Sequence, residues 1–182
     1  GLMEPSAFGN YTELSVPRLE ADMTYKANKL TFNVSGTVQT GKDPGLEESK
    51  TAVGGAAVIG YKGSNFSLTG STYYGQGVGT TLMFTVGPVS GGELTKSYGY
   101  IGQLTYTSGK ATLAGSYGAS ILKDDASSFK TENALISGGI YYQATKSLKV
   151  VGEGDYQMTQ NKELNLEKNS SFTGSFGLML FY

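Results

Sequence analysis

The chain has 182 residues, 14 basic and 15 acidic, so its formal net charge of -1 excludes a polybasic nucleic-acid surface. It holds 27 Gly, 13 Tyr and 8 Phe but no Cys, His or Trp, which removes disulfides, thiolate metal sites and imidazole-dependent catalysis. Only 16% of residues are charged, yet no apolar run approaches the roughly 18 residues of a membrane-crossing helix.

In chain order, residues 1–18 (GLMEPSAFGNYTELSVPR) show no sustained period and are expected to form a loop or one extra strand, closed by Pro17. From Leu19 onward apolar residues recur at every second position, the spacing of a strand with two unlike faces. The clearest case is LTFNVSGTVQT. Leu30, Phe32, Val34, Gly36 and Val38 share one face, and Thr31, Asn33, Ser35, Thr37 and Gln39 share the other. Similar segments begin near Leu19, Leu30, Val53, Phe66, Tyr98, Ala111, Ala134, Leu148 and Phe172, most of them nine to twelve residues long. Short links at Ala27-Asn28-Lys29, Gly63-Ser64-Asn65, Ser108-Gly109-Lys110 and Lys146-Ser147 suit antiparallel hairpins. Longer polar links at 41–50, 75–95, 122–132 and 161–170 alternate with them. The expected fold is all-β: one antiparallel meander over 19–182, with no domain boundary inside 1–182.

Within these segments the apolar parity carries no charge, and Thr72 is its only aliphatic hydroxyl. The opposite parity carries Ser, Thr, Gln and Gly together with Glu20, Asp22, Lys26, Lys62, Lys149, Glu153 and Asp155. A soluble sandwich would alternate too, but three features favour lipid outside. Strands of this length match a tilted crossing of the bilayer core. Aromatic residues cluster near strand ends, among them Tyr25, Tyr61, Phe66, Tyr74, Tyr98, Tyr106, Tyr156 and Phe172, as an interfacial girdle does. The polar face is mostly small hydroxyls, as in a wetted lumen. Closed barrels are the only sheets that satisfy every backbone group in lipid, so a transmembrane β-barrel is expected. The seven charges are then the candidate pore-lining residues.

The final segment, Phe172 to Tyr182, fits the pattern polar-x-Gly-x-x-apolar-x-aromatic through Ser175, Gly177, Leu180 and Tyr182. This looks like an outer-membrane assembly signal, read by the barrel-assembly machinery. With the hairpin rhythm and Tyr73-Tyr74-Gly75-Gln76-Gly77 leading into a long link, the chain resembles the Gram-negative general porins. The resemblance covers nearly the whole chain. It implies a homotrimer in the bacterial outer membrane, in contact with lipid and lipopolysaccharide, passing small hydrophilic solutes and ions by diffusion without a cofactor. Porins of 16 or 18 strands, against nine or ten here, imply the C-terminal section of a larger barrel completed by another segment or chain. A complete ten-stranded barrel serving as adhesin or structural anchor is the alternative. No constriction-loop segment is recognisable.

Enzymatic readings fare poorly. Glu153 and Asp155 lie two apart on one face, as paired glycosidase carboxylates can, but neither has the apolar surroundings of a catalytic acid. They read as solvated lumen charges. Lys123-Asp124-Asp125 and Glu47-Glu48 fall in long links, where Ca²⁺ or lipopolysaccharide contact competes with simple solvation. Gly75-Gln76-Gly77 lacks the strand-turn-helix context of a nucleotide site.

Overall fold

A computed structural model describes residues 2–3, 13–14, 17–42, 48–78, 89–90, 93–124, 129–161 and 168–181. The regular elements among them are all strands. They are β1 (Leu2–Met3), β2 (Glu13–Leu14), β3 (Arg18–Ala27), β4 (Leu30–Lys42), β5 (Lys50–Lys62), β6 (Phe66–Gln76) and β7 (Val89–Ser90). β8 (Glu93–Leu94), β9 (Lys96–Ser108), β10 (Ala111–Asp124), β11 (Phe129–Gln143), β12 (Leu148–Asn161) and β13 (Asn169–Leu180) follow. The sheet order is β1-β3-β4-β5-β6-β9-β10-β11-β12-β13, so the nine long strands form the expected antiparallel meander. Among the described residues ahead of β3 there are two short pieces: β1 pairs with β3, and β2 with β4 off the main path. β7 and β8 form a separate two-stranded ribbon.

Turn chemistry explains the short links. Asn28 (φ 52°) and Gly109 (φ 56°) occupy left-handed backbone at the first position of two-residue hairpins. Between β11 and β12 the link is longer than the expected Lys146-Ser147, spanning 144–147. There the Gln143 side-chain amide donates to the Thr145 carbonyl at 2.8 Å, and Ser147 N–H donates to Thr145 Oγ1 at 3.2 Å. At the long-link end the strands outrun their apolar pattern: β11 begins at Phe129 rather than Ala134, and β5 at Lys50 rather than Val53. Ladder hydrogen bonds belong to the backbone, so pairing continues where side-chain alternation has stopped.

Directly paired residues share a face, and the register matches like with like. Tyr25 faces Phe32, which faces Ile59 on the next strand. Leu30, Tyr61, Leu68 and Leu104 form another apolar rung, as do Tyr142, Val150 and Leu178. The band is strongly exposed, with Phe176 at 77%, Phe172 at 72% and Leu180 at 71%. Among the described residues, of the exposed large apolar side chains only Ile101, Leu135, Met179 and Phe181 lie on the other parity. An exposed apolar surface running across nine strands needs a partner phase. Gln39, Ala52, Ser97, Leu122, Asp124 and Val151, all buried, belong to the polar parity. A small cluster on the apolar parity, Ala119, Ile121 and Ala134 with Met158 against it, packs toward the long-link end.

Both margins of the sheet are open among the described residues. β13 pairs with β12 alone, and β3 has only the two-residue β1 on its outer side.

Candidate pore wall

The polar face is a lattice of short hydroxyl and amide side chains, placed in rungs by the register. One rung runs Lys26, Thr31, Gly60, Thr69, Gln103, Ser116, Ser137, Asp155, Thr173. The next one toward the short turns runs Lys62, Ser67, Thr105, Ala114, Gly139, Glu153, Ser175. Hydroxyls pair across strands, Ser67 with Thr105 at 2.6 Å and Thr107 with Thr112 at 2.9 Å. Side chains such as these exchange hydrogen bonds with water readily and contribute no net charge.

The seven charges share this face but do not form a ring around the described wall. Glu20, Asp22 and Lys26 stand on β3 and Lys62 on β5; Lys149, Glu153 and Asp155 all stand on β12. Between these groups β6, β9, β10 and β11 bring one charge to the polar parity, Asp124 at the long-link end of β10, where it is buried.

Five of the seven are tied to neighbours. Glu20 forms an ion pair with Arg18, Oε1 to Nε 2.8 Å. Asn33 donates to Asp22 at a long 3.5 Å and to Thr24 at 2.8 Å. Ser137 Oγ donates to Asp155 Oδ1 at 2.5 Å, and the Tyr141 hydroxyl donates to Glu153. Lys149 Nζ lies 5.6 Å from the centre of the Phe181 ring, within cation–π range. Lys26 and Lys62 are exposed. Glu153 and Asp155 therefore have separate hydroxyl partners on β11, rather than bonding each other.

Several polar-face groups escaped the sequence pattern. Arg18 and Lys50 sit where β3 and β5 extend past their alternating stretches, and carrying the parity outward by one or two positions would have found them. Lys50 pairs with Glu93 of β8 at 3.2 Å. The start of the β6–β9 connection also rests on this face. Gly77 (φ 72°) turns the chain, its N–H donates to Thr95 at 2.8 Å, and Val78 covers Gly54 and Gly75 so closely that a Cβ on Gly75 would collide with it. Tyr73 lies over Gly99 and shares a 2.5 Å hydrogen bond with Ser120; a Cβ on Gly99 would stand 2.6 Å from the Ala119 carbonyl. Sheet register brings Tyr73, Gly99 and Ser120 together.

Of the candidate assembly-signal residues, Ser175 and Gly177 lie on the polar parity of β13 and Leu180 on the apolar parity. Tyr182 lies outside the described residues, as do Glu47 and Asp125. Among the described residues, no group of three or more His, Cys, Asp or Glu stands close enough to hold a metal ion.

No protein-family model and no curated protein matches the chain. A solved structure does: the outer membrane channel DcaP of Acinetobacter baumannii, at a TM-score of 0.81 and 18% sequence identity. The match covers 99% of this chain and 57% of that one, so the chain spans little more than half the length of its structural neighbour. The chain has the antiparallel meander fold found in the wall of an outer-membrane channel.

Proposed function

We propose that this chain forms part of the wall of an outer-membrane channel, through which small hydrophilic solutes and ions diffuse passively. The observation that carries the reading is the two-faced sheet: an uninterrupted apolar band on one side, and on the other a hydroxyl-rich face with sparse charges. Lipid outside and water inside satisfy both faces at once. The work asked of the protein is to hold a wetted path open, which needs neither a nucleophile nor a cofactor.

An open sheet margin in lipid leaves backbone groups unpaired, so β3 and β13 require further strands beside them. Nine long strands corresponding to 57% of the neighbour's length scale to about sixteen for a whole barrel. At that size a lumen is too wide for its side chains to fill, which favours a channel over a plugged anchor. Assembly as a trimer and release by the barrel-assembly machinery belong to the same proposal. Planar-bilayer recording of protein purified from outer membranes tests it. Discrete, ohmic conductance steps are expected, and folded, inserted protein that passes no current would overturn the reading.

A further inference from the structure

Of the four large apolar side chains exposed on the polar parity among the described residues, Met179 and Phe181 stand at the short-turn end of β13. Ile101 and Leu135 instead stand near the middle of their strands, and they share one rung. Ile101 of β9 pairs with Gly118 of β10, and Gly118 pairs with Leu135 of β11. Gly118 raises no side chain between them. Ile101 Cβ and Cγ1 lie 3.1 and 3.2 Å from the place where a Cβ on Gly118 would stand. One pleat toward the long links the Tyr73 ring covers Gly99 in the same way, sharing its hydrogen bond with Ser120. Two glycines thus let an aromatic ring and an isoleucine lie across the sheet. With Leu135 they make an apolar ledge in a face of hydroxyls and amides.

Ile101 is 49% exposed and Leu135 40%, so packing within the chain does not account for the ledge. Apolar surface left in water favours any solute that covers it. The nearest charge on this face is an acid. Asp155 on β12 is the diagonal neighbour of Leu135, about 7 to 8 Å away, and Ser137 fixes its carboxylate from β11. The lysines stand farther off. Lys62 lies two strands and two pleats from Ile101, about 17 Å by strand spacing and rise. Lys26 is four strands from Ile101, and Lys149 is four pleats along β12 from Gln157, the direct partner of Leu135. Arg18 and Lys50 are paired with Glu20 and Glu93.

We infer that the ledge is a solute subsite on the pore wall, and that its occupant is a small ammonium ion bearing an aryl group. The aryl group lies on Ile101 and Leu135, edged by the Tyr73 ring, and the ammonium faces Asp155. An aryl carboxylate would meet the same ledge with its charge against an acid. The inference rests on the polar face being the lumen, and it names a solute class that hydroxyls alone do not select.

The test is ligand-observed NMR on folded protein purified from outer membranes, in zwitterionic detergent with empty micelles subtracted. The probes are 2-phenylethylammonium, ethylammonium and phenylacetate. The first should bind at least about tenfold more tightly than ethylammonium, because it covers apolar surface that ethylammonium leaves wet. At low salt it should bind about fivefold more tightly than phenylacetate, whose charge has the opposite sign. I101S/L135S should remove the first preference, and D155N the second. Equal binding of the three probes by the native protein overturns the proposal, as does either preference surviving in the variant meant to remove it. Should I101S/L135S fail to fold, Leu135→Asn decides by the same loss. Planar-bilayer recording of the same preparation separates the two readings: current without probe preference refutes only the subsite, and probe preference without current refutes only the channel.

Discussion

Glu153 and Asp155 stand two apart on one strand, each with its own surroundings. Each carboxylate has its own hydroxyl partner on β11, and Lys149 on the same strand keeps to the Phe181 ring. In the proposed lumen, screening at physiological salt acts over roughly 8 Å, so such groups would bias only ions passing close by. Replacing both acids, E153K/D155K, should shift the reversal potential toward anions in a salt gradient while leaving folding intact. On the opposite parity the penalty should depend on depth. Phe176→Lys, near the middle of the β13 band, should cost about 2 to 4 kcal/mol, and Leu180→Lys, near its short-turn end, about 0 to 1. Urea titration of folded protein in vesicles measures both, and equal costs at the two positions would contradict the depth assigned to them. Gly99→Val should cost about 1 to 3 kcal/mol by overpacking, because the Tyr73 ring occupies the space a side chain would need.

Strand identity and the sorting of residues onto two faces were legible in the sequence from alternation alone, and so were three of the four tight turns, where residues such as Asn28 and Gly109 permit left-handed backbone. Strand ends were not. At Lys50, Lys96 and Phe129 pairing continues through residues that no longer alternate, and a pattern of side chains cannot report a ladder built from backbone groups. The alignment of Lys96, Lys123 and Lys130 across β9, β10 and β11 escaped for the same reason, all three lying on the apolar parity just past the point where alternation stops. Cross-strand partnership was equally invisible: Ser137 with Asp155, Tyr141 with Glu153 and Tyr73 with Ser120 follow from register, which a single chain read linearly does not contain. The absence of native cysteine makes register testable. G154C/G174C, placed at direct partners on β12 and β13, should form a disulfide under mild oxidation. G154C/S175C, on opposite parities, should not. Comparable yields from both pairs would mean the strands had slipped.

For the molecule as a whole, the two open margins set the requirement that any account must meet. Nine long strands expose an apolar band on one side and hydroxyls on the other, and neither face is stable in the other's solvent. The division between lipid and water is therefore the central claim, and β10 crosses it most completely. Single cysteines at each position from Leu113 to Ser120, in protein reconstituted into vesicles, test it directly. A charged, water-soluble thiol reagent should label Ala114, Ser116, Gly118 and Ser120 positions rapidly, while brominated lipid should quench fluorophores attached at Leu113, Gly115, Tyr117 and Ala119. The account predicts a strict period of two, with the two readouts out of phase. Labelling at equal rates on both parities, or quenching on the hydroxyl parity, would contradict it.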